Sequence, residues 1–317
     1  MSEADVIPDV GVRRATIAVD AKAPRNRVKF KDTWWRHVVG LVGSVVALFP
    51  VVYVISSAFN RDNTLQGASL VPTHVTWHNF GNLLHNHVAD TSGGYSDAPY
   101  LKWVFNSMIV AGLTALMTTM LGALAAYAFS RFRFKGRRLG MVTLLLIQMF
   151  PQTAAIAAIY LLIFNVGHIF PALGLNTLLG VIIVYLGGSM GVQTWLLKGF
   201  LDTIPKELDE SARVDGATPA QIFWGVVLPL AAPVLVVVGL ISFVFTLNEF
   251  VIASALLQTN NHFTLSVGLY GFINQNYGQH WGPFAAGSLM AIIPVAALFF
   301  VLQRWIVSGL TAGSVKG

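Results

Sequence analysis

The chain contains no cysteine, which removes disulfides, thiolate metal sites and thiol catalysis and leaves the redox compartment open. It is also poor in charge. Asp, Glu, Lys and Arg make up 11% of the residues, against roughly 25% in soluble domains, and none of the four occurs in the stretches 139–197, 216–248 and 250–303. No Gly-x4-Gly-Lys-Ser/Thr segment is present to cradle nucleotide phosphates, and no pair of histidines comes with the general base of a helical metalloprotease.

What is present is apolar length. Hydrophobic residues are 55% of the chain and mean hydropathy is +0.65, the composition of an integral membrane protein. A helix needs about 20 apolar residues to span a bilayer, and six such spans are expected at 38–58, 103–129, 139–164, 177–197, 230–257 and 283–307. The expected fold is all-α, because lipid offers backbone groups no partner and the alternation of a barrel strand is absent. Pro50, Pro151, Pro233 and Pro294 fall inside these spans, where each removes a backbone donor and can kink its helix. Gly187, Gly188 and Gly191 permit close helix contact.

The basic residues predict orientation. Eight precede the first span (Arg13, Arg14, Lys22, Arg25, Arg27, Lys29, Lys31, Arg36) and five follow the second (Arg131, Arg133, Lys135, Arg137, Arg138). Lys198, Lys206 and Arg213 follow the fourth, and Arg304 and Lys316 close the chain, leaving only Arg61 and Lys102 for the other side. The excess places both termini in the cytoplasm. The net charge of +6 is thus a topology signal and calls for no nucleic-acid partner. The tail 1–37 lacks a small-residue cleavage site after the apolar run, so the first span is expected to stay as an anchor. Arg25, Arg27, Lys29 and Lys31 ahead of Trp34 and Trp35 suit an interfacial segment at anionic membrane lipid.

Between the fourth and fifth spans lies a polar island, 203–229. Thr203, Ile204 and Pro205 read as a helix start. Glu207, Asp209 and Glu210 favour the positive end of that helix, and Gly216 stops it in the left-handed conformation. Thr218 and Pro219 restart a second short helix, and Leu228 and Pro229 mark the next span. Two short helices along the cytoplasmic face are expected, with an apolar seam of Leu208, Ala212, Ile222 and Phe223. Small Ser211, Ala212 and Ala217 would let another surface approach. A solvated connecting loop is the plainer reading.

Within the spans Glu249 is the one acid, next to Asn248 and Thr246. A charge there must face protein or water, so Asn248 and Glu249 either line a pathway or hydrogen-bond a neighbouring helix. His74, His78, His85, His87 and Asp90 crowd the loop 59–102 in a spacing that matches no helical metal-binding pair with a general base, and no metal site is expected.

The island resembles the E-A-A loop of ATP-binding-cassette importer permeases. Glu210, Ala212, Asp215, Gly216, Ala217, Leu228 and Pro229 match that pattern, while Ser211 replaces the first alanine and Val226 the usual isoleucine. The ending Gly-Leu-Thr-Ala-Gly-Ser-Val-Lys-Gly at 309–317 is similar to that of the MalG-like, maltose/maltodextrin type of permease subunit. Asn106-Ser107, the run 125–131 and Trp-Gly-Pro-Phe-Ala-Ala-Gly at 281–287 resemble the same sugar-importer branch.

The resemblance implies a six-span permease of the type I importer architecture, its core 103–307 following an extracytoplasmic loop at 59–102 and preceding a tail at 308–317. It implies a MalF-like second permease, two MalK-like ATPase subunits that bind ATP and Mg, and an extracytoplasmic sugar-binding protein, with no cofactor in this chain. Glu210, Ser211, Ala212, Asp215, Gly216, Ala217, Leu228 and Pro229 would couple to the ATPase. Gly313, Ser314, Val315, Lys316 and Gly317 would reach between the ATPase subunits, and Asn274, Gln275, Asn276 and Tyr277 would touch the binding protein. Sugar would be held mainly by the partner permease. A secondary transporter would instead need coupling-ion residues within the spans, for which Glu249 alone is thin support.

Overall fold

The apolar runs fold as helices whose ends are set by proline, glycine and capping side chains. A computed structural model describes residues 30–60, 75–89, 95–274 and 280–312, with side chains for 34–60, 75–86, 98–274 and 280–305. Among these, six helical stretches are long and apolar enough to cross a membrane: Trp34–Phe59, Tyr100–Arg131, Gln152–Ile169, Leu178–Leu201, Pro219–Asn248 and Trp281–Trp305. The chain divides into two compact units, Met1–Pro50 and Val51–Gly317. Helix α1 (Phe30–Phe59) runs across that boundary. Every described side chain of the first unit is exposed, as expected of a helix whose solvent is lipid.

In the second unit α1 is followed by a short α2 (His78–Leu84) and an antiparallel ribbon, β1 (His87–Ala89) with β2 (Tyr95–Asp97), which pairs His87 with Asp97. The ribbon is a small addition to the all-α expectation. Then α3 (Tyr100–Arg131) forms the centre and packs most extensively on α6 (Leu178–Leu201) and on α9 (Leu228–Asn248). Its buried side is built of Ala111, Thr114, Ala115, Thr118, Gly122, Ala123 and Ala126, small residues that let helices approach where lipid gives no hydrophobic drive to associate.

The third expected span differs most. The chain forms α4 (Arg137–Met149), then a 3-10 turn at Gln152–Ala155, then α5 (Ile156–Ile169). The break falls at Phe150, which is extended (φ −74°, ψ 124°) immediately before Pro151. A residue preceding proline is pushed out of the helical region. Pro50, Pro233 and Pro294 stay inside continuous helices, so proline alone does not decide the outcome. Of the three glycines near the middle of α6, an added Cβ at Gly191 would stand 2.7 Å from the Leu144 carbonyl oxygen of α4, whereas Gly187 has open space around it.

The fifth expected span ends early. Helix α9 stops at Asn248, Glu249 is extended, and α10 (Val251–Leu256) begins a new direction. After it come α11 (Leu265–Gly271) and α12 (Trp281–Ala312). The C-terminal ends of α3 and α6 and the start of α4 form one, basic, end of the bundle. The first turns of α3 and α6, with α10 and α11, form the opposite end.

Candidate functional site

At the basic end the polar island folds as α7 (Glu207–Val214) and α8 (Pro219–Ile222). Helix α7 starts two residues after Pro205, with Lys206 at its N-cap and no side-chain cap. The expected cap by Thr203 is not made, because its hydroxyl donates back to the Phe200 carbonyl in the last turn of α6 (2.7 Å). The other end matches expectation. Gly216 is left-handed (φ +83°), Ala217 N–H donates to the Ala212 carbonyl (2.9 Å) and Gly216 N–H to the Arg213 carbonyl (3.0 Å), the two bonds of a Schellman stop. Thr218 then caps α8 through Gln221 N–H (3.3 Å), while the Gln221 side chain accepts from Thr218 N–H (2.8 Å), a complete capping box.

Helix α8 does not end where a span begins. It continues through one π-helical turn, Phe223–Val227, into α9, so Pro219–Asn248 is one helical rod. The wide turn lies just ahead of Pro229. An i→i+5 turn there, with Leu228 N–H donating to the Phe223 carbonyl, eases the clash a proline ring makes with the preceding turn. Leu228 and Pro229 are therefore interior to the rod and do not mark a boundary.

The seam beneath α7 and α8 consists of Ile222 and Phe223, buried with Leu197, Leu201 and Ile204 and bordered by Ala212 and Ala217. Leu208, expected in the seam, is 40% exposed. Glu210, Ser211, Asp215, Gly216 and Pro229 are exposed, while Ala212, Ala217 and Leu228 are half-buried. Only Ser211 of the three small residues is fully presented; the two alanines face the seam. Exposed Val214 adds an apolar point beside Asp215.

A charge pair fastens this element to α3. Arg131 Nε stands 2.6 Å from Asp209 Oδ2, with both side chains almost wholly buried, at 2% and 3% exposure. Arg131 Nη2 also donates to the Ile204 carbonyl (3.0 Å). Sequence reasoning assigned Arg131 to topology and Asp209 to the helix dipole. The signal that would have paired them is register, since Asp209 precedes Ala212 by three residues and shares its inward side. Tyr127 of α3 lies against Phe223, with ring centroids 5.1 Å apart. Nearby Asp202 accepts from Ser130 (2.7 Å) and pairs with Lys198 (2.5 Å). Burial raises its carboxyl, and the bonds from Lys198 and Ser130 more than reverse this, holding it below its ordinary value.

Toward the opposite end, Glu249 occupies the break between α9 and α10. Its Oε1 accepts from Ile252 N–H (2.9 Å) and its Oε2 from Ala253 N–H (3.1 Å) and from the Tyr185 hydroxyl. The carboxylate thus caps the free amides of α10. It also borders a cavity of about 430 Å³ with Gln148, Gln152, Gln193 and Ser242. Asn248 does not face that cavity. It borders a separate one of about 330 Å³ with Ser266 and Ser288, and its amide donates to the Val244 carbonyl (2.8 Å). The two residues paired in sequence are parted by the helix break.

The loop after α10 is tied down by neutral groups. Asn176 Oδ1 accepts from Gln258 N–H, Thr259 N–H and the Thr259 hydroxyl, each at 3.0 Å. Trp103 donates to the Asn260 carbonyl (2.8 Å), and Asn106 to the Asn261 and Phe263 carbonyls (3.0 and 2.9 Å). Ser107 accepts from Leu265 N–H (2.7 Å). Asn106-Ser107 thereby acquires a structural role. Asn274 is half-buried after α11, its N–H donating to the Tyr270 carbonyl (3.1 Å). Gln275, Asn276 and Tyr277, the tail residues Gly313, Ser314, Val315, Lys316 and Gly317, the N-terminal basic residues before Phe30, and His74 and Asp90 lie outside the described residues. His78 and His85 meet Asn82 (3.0 Å) and the Gly81 carbonyl (2.8 Å).

Residues 118–311 match the family model of the binding-protein-dependent transport system inner membrane component. The chain is 39% identical over 284 residues, 89% of it and 95% of the relative, to the maltose/maltodextrin transport system permease protein MalG of Escherichia coli (strain K12). It is 39% identical over 297 residues to MalG of Photorhabdus laumondii, covering 92% and 99% of the two chains. In fold it is similar to a chain of a bacterial ABC transporter involved in the import of the acidic polysaccharide alginate, with a TM-score of 0.69 at 24% identity over 88% of this chain and 97% of that one.

Proposed function

Because the chain belongs to the family of binding-protein-dependent transport system inner membrane components, we propose that it couples ATP hydrolysis by separate cytoplasmic subunits to passage of a maltose-like oligosaccharide. The chain is the permease subunit of a binding-protein-dependent sugar importer and a multi-pass membrane protein. Maltose or maltodextrin is the first substrate to test, from the relatives' names, with trehalose next among related oligosaccharides. A second, MalF-like permease completes the pathway, and both termini lie in the cytoplasm with the basic end.

The observation that carries this reading is the α7 element. It exposes Glu210, Ser211 and Asp215, and it is pinned from behind by the buried Arg131–Asp209 pair. A docking surface held this way moves with α3, and through the Asp215–Thr218 turn it moves the rod Pro219–Asn248. Two MalK-like ATPases, binding ATP and Mg, close and carry α7 with them. Glu210 pairs with a basic residue of the ATPase, and the tail 313–317 runs between the ATPase subunits. The hinge is at the other end of the rod, where Glu249 holds the break. The Glu249 cavity and the Asn248 cavity are the parts of the pathway this subunit lines. The loop from Asn274 to Tyr277 meets the sugar-binding protein.

Purification tests the assembly. The chain is expected to co-elute with ATPase subunits, and sugar uptake is expected to stop on ATP depletion; a chain that runs alone with uptake intact overturns the reading. Glu210→Lys is expected to abolish coupling of ATP turnover to uptake while membrane insertion persists, and Gly216→Pro to do the same by spoiling the left-handed stop. Wild-type uptake in both variants would remove α7 from the mechanism.

A further inference from the structure

We propose that the recess between the start of α4 and the end of α6 binds the phosphate of an anionic membrane lipid. Arg137, Arg138, Lys198, Asp202 and Trp195 border this cavity of about 560 Å³. The inference rests on membrane residence alone and is independent of what the subunit transports.

The charges in the recess are not balanced internally. Lys198 is taken by Asp202, and Asp202 is further held by Ser130. Neither the Arg137 nor the Arg138 guanidinium has a hydrogen bond or ion pair among the described residues. Three cations thus face one carboxylate, an excess of two positive charges. The contrast with Arg131, which is spent on Asp209 and the Ile204 carbonyl, separates these two arginines from a residue serving the fold. Helix α4 also begins without a side-chain cap or an acid in its first turn, so its free amides add to the positive potential. An anion with several acceptor oxygens satisfies this set, and arginine matches phosphate geometry in a way lysine does not.

The surroundings favour a lipid as the source of that phosphate. Trp195 is 53% exposed at the wall of the recess, the type of side chain that settles at the headgroup level. From there exposed apolar residues continue along α4, at Leu139, Val142 and Leu146. A headgroup in the recess therefore has an apolar track for its acyl chains. Basic pockets between membrane helices are suited to such headgroups.

The test uses the transporter purified with its co-eluting subunits, in nanodiscs of phosphatidylcholine with increasing phosphatidylglycerol, and counts retained lipids by native mass spectrometry. Arg137→Gln with Arg138→Gln is expected to weaken phosphatidylglycerol retention about 25-fold, about five-fold for each arginine. Arg133→Gln with Lys135→Gln removes the same charge outside the recess and is expected to change retention less than two-fold. Equal losses in both pairs, or loss in neither, overturn the site. In phosphatidylcholine discs, millimolar inorganic phosphate that is retained without any preference for phosphatidylglycerol overturns the lipid assignment. If the double variant does not assemble, wild-type fluorescence decides. The quenching component missing from Trp195→Phe should be stronger with brominated phosphatidylglycerol than with brominated phosphatidylcholine, and equal quenching overturns the proposal.

Discussion

The two ends of the bundle are held by different chemistry. At the basic end α7 is fastened to α3 by a buried ion pair, Arg131 with Asp209, and α6 closes with an exposed one, Lys198 with Asp202. At the opposite end the segment 258–265 is fastened by Asn176, Asn106, Trp103 and Ser107, all neutral. A buried ion pair is directional and intolerant of losing either member, because the survivor is left as a bare charge. A neutral network loses strength bond by bond. The difference fits the proposed function, in which the basic end transmits a push through one fixed joint and the opposite end only has to keep a loop in place.

The comparison breaks most sharply at Asp209. Asp209→Ala should destabilise the docking of α7 by about 3–5 kcal/mol, since Arg131 stays buried without its partner. Arg131→Leu with Asp209→Leu should recover most of that stability, because two apolar side chains need no partner. Thermal unfolding of the purified complex measures the first, and the double variant separates stability from function. If the pair serves only packing, uptake returns with stability; if it transmits force, uptake stays low.

At the opposite end the expected losses are smaller. Asn176 is left-handed (φ +59°) and accepts three bonds, so Asn176→Ala should cost about 2–3 kcal/mol from lost bonds and an unfavourable φ. Asn176→Gly keeps the conformation and loses only the bonds, so it should be milder. Limited proteolysis near Gln258 reads the difference; a glycine variant as labile as the alanine one would show that φ contributes nothing.

Helix positions were readable wherever composition alone decides them, and the stop at Gly216 and the cap at Thr218 were readable because each is a local backbone requirement. The break at Pro151 and the continuity through Pro229 were not, since the same residue type gives opposite results depending on the preceding turn. Asp209 shows the other limit. Three acids in one first turn look alike in sequence, and only the packing of Ala212 against the seam turns one of them inward. Glu249 was found by its rarity, yet its capping of α10 depends on a helix break that no local signal announced.

Gly216→Ala should cost about 1–2 kcal/mol, the strain of a left-handed alanine, and should move thermal unfolding less than Asp209→Ala does. A loss as large as that of Asp209→Ala would mean the turn, and not the ion pair, is the joint.

The smallest expected effect lies at Asp202, which completes the comparison within the basic end. Its pair with Lys198 is partly solvated and worth under about 1 kcal/mol. Its carboxyl is held below its ordinary 3.8 in the folded chain, so its contribution is complete above that pH and is lost as pH falls through the lower folded value. Asp202→Asn should therefore lower thermal stability slightly at pH 7, and the gap to the unsubstituted chain should close below pH 3.8. A gap that persists in acid would mean that the hydrogen bond from Ser130, which does not need the charge, is what Asp202 supplies.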